Sequence, residues 1–147
     1  ICGSADARDA DIPPNVTVLR EIPRNDYLER LRGCRLVALP LLATERATGQ
    51  VVMLEAMSYG KPVITTRSPG TLDAIRDGES GVLVEAGDAA GLAGAIERLW
   101  NDPDARRRIG DAAVRTMQIS ASADRHAELK LAAIRELCAI GHQQVAP

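Results

Sequence analysis

Gln50-Val51-Val52-Met53-Leu54-Glu55-Ala56-Met57-Ser58-Tyr59-Gly60-Lys61-Pro62-Val63-Ile64-Thr65-Thr66 sets one carboxylate, Glu55, inside an apolar helical segment. Thr48-Gly49 before it is a flexible helix start whose backbone N–H groups can face an anion, and Gly60 is a natural helix stop. Lys61-Pro62 then opens a β-branched run, Val63 to Thr66, that reads as a strand. Loop, helix and strand in this order are the arrangement of α/β proteins that bind phosphorylated ligands outside the carboxyl ends of their strands.

Outward from this stretch, short apolar or β-branched runs bounded by turn residues predict strands near 16–19, 35–39, 62–66 and 81–84. Helices fill the gaps. Asn25 is the expected N-cap of a helix through Leu31, Gln50 to Tyr59 is a second, and Thr71 to Arg76 a short third ended by Asp77-Gly78. Leu92, Ile96, Leu99 and Trp100 fall on one face at helical spacing, which predicts a buried stripe. Pro103 sits in the first turn of the next helix, which carries Ile109, Ala112, Ala113 and Met117. A last helix is expected from about Ser122 to Ile140, within a helical tail over 118–147. Strand–helix alternation of this kind predicts an α/β fold with a doubly wound, mostly parallel, Rossmann-like sheet.

Composition narrows the function. The 147 residues are 46% hydrophobic, enough for the core of one domain over 1–147. A net charge of −2 with interleaved signs, no Phe, two Tyr and one Trp offer neither a basic stripe nor a base-stacking platform, so nucleic acid is not an expected partner. There is no run of about 18 apolar residues to span a membrane. Cys2, Cys34 and Cys138 lack metal-ligand spacing and read as reduced thiols of a cytoplasmic protein. His126 and His142 have no ligand partners at useful spacing, so no metal site is expected. Arg106-Arg107-Arg108 reads as a solvated helix face, Tyr59 as a packing residue, and Arg67 as a side chain that can point into the crevice past its strand.

Leu54-Glu55-Ala56-Met57-x-x-Gly60-x-Pro62-Val63 resembles the donor-binding segment of retaining family 4 glycosyltransferases of the GT-B fold. Four more passages agree in order. Asn15-Val16-Thr17-Val18-Leu19 with Ile22-Pro23 resembles "NV.FLG.VP", and Leu36-Val37-Ala38-Leu39-Pro40 resembles "VFVLPS". Pro69 to Ile75 resembles "GG.PE.I", and Asp77 to Val84 resembles "DG.NG.LV". Ile1-Cys2-Gly3-Ser4 matches the family's "VGDG", the end of the second strand of its carboxy-terminal domain. The expectation is a chain lacking the first strand–helix unit, with the family's diphosphate-binding Arg and Lys, and lacking the amino-terminal acceptor domain.

The resemblance implies that Glu55 accepts hydrogen bonds from the ribose hydroxyls of a nucleotide donor. The backbone N–H groups of Gly49, Gln50 and Val51, at the positive end of the helix, are candidates for the β-phosphate. Thr48 and Gln50 are side-chain candidates for the sugar hydroxyls, and the Arg20-Glu21-Ile22 turn is where the resemblance implies backbone contacts to the base, with Ile22 beside it. The family pairs its second glutamate with another seven intervening residues earlier; here that position is Ala47. Glu45, ten residues before Glu55, is the candidate substitute for contacting the transferred sugar.

The resemblance thus implies the donor-binding part of a retaining hexosyltransferase that moves a hexose from a nucleoside diphosphate sugar to an acceptor hydroxyl, without metal or other cofactor. Its expected partners are the nucleotide sugar and a sugar or glycolipid acceptor held through the amino-terminal domain, with at most peripheral contact with the inner membrane face. The part alone is expected not to turn over. The alternative is a non-catalytic or partner-dependent nucleotide-sugar-binding module.

Overall fold

A computed structural model describes residues 12–41, 49–120 and 131–132. The chain divides into two units, Ile1–Gly33 and Cys34–Pro147.

In the first unit, Val16 N–H closes a turn onto the Pro13 carbonyl at 2.9 Å, and helix α1 spans Arg24–Gly33. The strand expected at 16–19 is absent: 16–18 are irregular, and Leu19 makes a single bridge. Extended runs this short become strands only where a neighbour offers a full ladder. Asn25 is not the N-cap either. The Pro23 carbonyl already accepts from Tyr27 N–H at 3.1 Å, so the first helical bond begins before Asn25. Asp26 in the first turn and Arg30 and Arg32 in the last suit the helix dipole.

The second unit is built on three parallel strands, β1 (Val37–Leu39), β2 (Val63–Thr66) and β3 (Val82–Val84), in the order β1-β2-β3. The register pairs Val37 with Val63 and Leu39 with Thr65, then Ile64 with Val82 and Thr66 with Val84. All four β2 residues are buried, as a strand flanked on both edges and covered by helices requires. The two threonines in it satisfy their hydroxyls locally: Thr65 Oγ1 donates to the Leu39 carbonyl and Thr66 Oγ1 accepts from Leu41 N–H, each at 2.9 Å.

Helix α2 (Gln50–Ser58) buries Met53, Ala56 and Met57. It stops as the sequence predicts, because Gly60 takes φ +65°, a left-handed conformation that costs glycine little. Gly60 N–H then bonds the Met57 carbonyl and Lys61 N–H the Ala56 carbonyl, a Schellman closure. Helix α3 occupies Pro69–Leu72 rather than 71–76. Ser68 and Thr71 cap its start reciprocally and Pro69 fixes the first turn, signals that outrank the apolar spacing further on.

Helices α4 (Ala89–Asn101) and α5 (Pro103–Ser120) complete the unit. Ile64 and Val82 of the sheet pack with Ala95 and Leu99 of α4 and Ala105 and Ile109 of α5. Of the predicted α4 stripe, Leu99 is buried and Leu92 and Ile96 pack at the core margin, but Trp100 is half exposed under the Arg35 guanidinium, 4.4 Å from its ring centroid. Arg106 is not merely solvated: it donates to the Leu99 and Trp100 carbonyls at 2.6 Å, covering the end of α4. Helix α5 starts at Pro103 as predicted, with Asp102 accepting from Ala105 N–H at 2.8 Å. Against α2 it passes so closely that a Cβ on Gly110 would collide with the Gly60 carbonyl oxygen. Leu131 and Ala132 are helical, and the rest of the expected tail lies outside the described residues.

Candidate functional site

The parallel register places three loop starts side by side at the carboxyl ends of the strands: Pro40-Leu41 after β1, Arg67 after β2 and Glu85 after β3. They are tied together. Leu41 N–H bonds Thr66 Oγ1, Arg67 N–H bonds the Val84 carbonyl at 2.8 Å, and Thr71 Oγ1 donates to the Thr66 carbonyl at 2.9 Å.

Gly49 opens α2 at this edge with φ +72° and ψ 0°, and its carbonyl accepts from Met53 N–H at 3.0 Å. Two features favour glycine here. The left-handed conformation is costly for a side chain, and a Cβ would stand 2.9 Å from Leu41 Cδ2 and 3.1 Å from Leu39 Cδ2. Among the described residues no side chain caps this helix start, and its first turn holds no acid. Its leading N–H groups, at the positive end of the dipole, thus have no partner among the described side chains. Gln50 is turned aside, its Nε2 donating to the Gly70 carbonyl at 3.4 Å, and Val51 is exposed.

Glu55 lies in the middle of α2, half-buried, with its Oε2 out of contact with solvent. Burying a carboxylate oxygen in an apolar helix is costly in itself, which marks Glu55 as a candidate. Ile22 belongs to the first unit, where it is half-buried beside Glu21, whose φ of +51° is the one positive value at a non-glycine among the described residues. Such a conformation at glutamate stores strain. Glu45 and Thr48, and the Ala47 between them, lie outside the described residues, as do His126 and His142. No cluster of His, Cys, Asp and Glu suited to a metal ion occurs among the described residues.

Arg67 does not reach into the crevice unaccompanied. Its Nε donates to Glu85 Oε1 at 3.0 Å and its Nη2 to Asp77 Oδ2 at 2.9 Å, so these two carboxylates raise the guanidinium pKa further above its ordinary value. Asp77 also accepts from Leu83 N–H at 2.9 Å, which locks the turn before β3 to the arginine. The ion pairs are exposed enough for solvent to weaken them. Sequence spacing gave no sign of this clamp, whose members are 10 and 18 residues apart. A cleft of about 240 Å³, also unforeseen, opens between the strand ends and the start of α4, lined by Leu41, Thr66, Val84, Glu85, Asp88 and Leu92 among others.

The profile of the family described as "Glycosyl transferases group 1" matches residues 3–116. The chain belongs to that family. Among curated relatives of this group 1 chain, the D-inositol 3-phosphate glycosyltransferase of Corynebacterium kroppenstedtii is 36% identical over 105 residues, covering 71% of this chain and 23% of the relative. The lipopolysaccharide core biosynthesis glycosyltransferase LpsE of Rhizobium meliloti is 42% identical over 84 residues, 56% of this chain and 25% of the relative. The chain therefore spans about a quarter of the curated relatives it matches. Among solved structures, sucrose-phosphate synthase from Thermosynechococcus elongatus superposes with a TM-score of 0.68 at 26% identity, over 84% of this chain and 30% of that one. Anabaena HepE in complex with UDP-glucose gives 0.62 at 26% identity, over 71% and 28%. The fold is that of the carboxy-terminal half of a GT-B glycosyltransferase. The described residues contain no helix long and apolar enough to cross a membrane.

Proposed function

We propose that this chain is the donor-binding part of a retaining, family 4 glycosyltransferase, which transfers a hexose from a nucleoside diphosphate sugar to an acceptor hydroxyl. The observation that carries the reading is the α2 start at Gly49, which no described side chain caps, about 1.7 turns before the partly buried Glu55. Family membership adds to it, as does the UDP-glucose held by the similar Anabaena protein.

In this reading the N–H groups of Gly49, Gln50 and Val51 take the diphosphate and stabilise it as it departs, since fixed dipoles aimed at developing charge require no reorganisation. Glu55 accepts from the two ribose hydroxyls, which orients the donor. The base is assigned to Ile22 on the resemblance alone. Thr48 is the side-chain candidate for the sugar, joined by Gln50 once it leaves the Gly70 carbonyl, and Glu45 stands in for the family's first glutamate at the transferred ring. The chemistry needs no metal, because the helix terminus carries the electrostatic load together with cationic residues of the whole enzyme. The acceptor, a sugar or glycolipid, is supplied through a further domain, in the cytoplasm or at the inner membrane face. Ala47, where the family has glutamate, favours a second reading, a nucleotide-sugar-binding module without transfer.

Calorimetric titration with UDP, GDP and ADP tests the donor site. One nucleotide should bind, and Glu55→Ala should weaken it by about 1.5–3 kcal/mol, roughly 10- to 150-fold, the size of a hydrogen bond to a charged group. Binding that is indifferent to Glu55→Ala would remove that residue from the site. Hydrolysis or transfer by the full-length enzyme separates the enzyme from the module.

A further inference from the structure

The start of α2 rests on two leucines that are held in different ways. A Cβ on Gly49 would stand 2.9 Å from Leu41 Cδ2 and 3.1 Å from Leu39 Cδ2, so both side chains lie directly against its Cα. Leu39 is the last residue of β1 and pairs with Thr65 in the parallel register, and Thr65 Oγ1 adds a bond to its carbonyl at 2.9 Å. Leu41 lies beyond Pro40, which has no N–H with which to extend the ladder. The Leu41 N–H turns instead to a side chain, donating to Thr66 Oγ1 at 2.9 Å.

Thr66 is built to hold that bond in one place. It ends β2, is only 3% exposed, and its carbonyl is fixed in turn by Thr71 Oγ1 at 2.9 Å. A β-branched side chain has few χ1 states in a strand, so the hydroxyl is presented in a set direction. The place of Leu41 therefore depends on a single side-chain oxygen, where that of Leu39 depends on a strand pairing.

We propose that Thr66 is a positioning residue of the nucleotide site: its hydroxyl fixes Leu41, Leu41 backs Gly49, and the leading N–H groups of α2 are thereby held where a diphosphate meets them. This role rests on the donor reading of α2 and deepens it, adding a residue that acts through Leu41 rather than on the ligand.

Paired variants separate this role from general support of the sheet. Thr66→Val removes the acceptor with little change of shape, Thr66→Ser retains it, and Thr65→Val removes the neighbouring buried hydroxyl, whose partner Leu39 the ladder still pairs. Amide hydrogen exchange and calorimetric titration with UDP, GDP and ADP are read on each. In Thr66→Val the Leu41 amide should exchange faster relative to that of Ile64 in β2, and so should Met53, whose bond to the Gly49 carbonyl closes the first turn of α2. The nucleotide that binds the unmodified chain should bind this variant about tenfold more weakly, the loss of one hydrogen bond's worth of positioning. Thr66→Ser should restore both readouts. Thr65→Val should lower the urea midpoint as Thr66→Val does, yet leave relative Met53 exchange and nucleotide affinity unchanged, a split that loss of stability alone does not produce. If a nucleotide binds the unmodified chain and Thr66→Val binds it equally well, if Thr65→Val weakens it to the same extent, or if Met53 does not follow Leu41 in exchange, the positioning role is overturned while the donor reading stands. If none of the nucleotides binds the unmodified chain, the donor reading itself fails and the role of Thr66 falls with it.

Discussion

Helices α2 and α4 both begin beside the carboxyl edge of the same parallel sheet, yet they are finished in opposite ways. At α2 the cap is Gly49 in a left-handed conformation, no described side chain bonds the leading N–H groups, and the first turn is free of acids. At α4 the cap is Asp88, which accepts from Gly91 N–H, and Glu85 stands just before it. A side-chain cap contributes about 1 kcal/mol, and at α2 no described side chain supplies one, which on the proposed reading leaves the acceptor to a ligand. On the proposed donor reading, the difference leaves the α2 start open to an anion while Asp88 already occupies the start of α4.

The largest way to break this contrast is to dislodge α2 from the opposite end. Gly110→Val drives a side chain into the Gly60 carbonyl, and should destabilise the chain by about 3 kcal/mol, read as a fall in the urea midpoint. Next is Gly49→Ala. The strained φ and the contacts with Leu41 and Leu39 should lower stability by about 1–2 kcal/mol, and nucleotide affinity should fall with the displaced helix start. Thermal unfolding with and without UDP reads both.

Asp88→Ala should cost about 1 kcal/mol by losing the α4 cap, without weakening UDP at α2. Simultaneous loss of UDP binding would show that the two ends are not separate. The smallest change is the most discriminating. Val51→Asp places a carboxylate in the first turn of α2 at an exposed position, where the dipole should reward it with about 0.3–1 kcal/mol of stability. The same charge should repel the diphosphate, so stability and UDP affinity should move in opposite directions. If both rise, α2 is not the phosphate end.

Much of the frame was legible because its signals are local. Gly60 stops α2, Pro103 starts α5, and the β-branched run 63–66 is the buried middle strand, each within a residue of where composition puts it. Misreadings came where two local signals competed or where a neighbour decided. Ser68, Pro69 and Thr71 pulled α3 forward, and the Pro23 carbonyl displaced Asn25 from the cap. Trp100 satisfies the helical period of the α4 stripe but sits beyond the core, where Arg35 from another segment stacks on it. Within the site, Glu55 and Gly49 stood out as a charge in an apolar helix and a glycine at its start. Arg67 was read only as a side chain that can enter the crevice, since nothing near it in the chain announces Asp77 and Glu85 as its partners.

The sequence by itself determined the succession of helices and strands, the family, and the glycine start of α2, because stop residues, capping residues and hydrophobic period act over a few neighbouring positions. Only the tertiary structure decided that Leu39 and Leu41 would back Gly49, that Arg67 would be drawn into a clamp, and that a cleft would open beside Asp88. These contacts join segments tens of residues apart, and they follow from the parallel register that brings β1, β2 and β3 to a common edge.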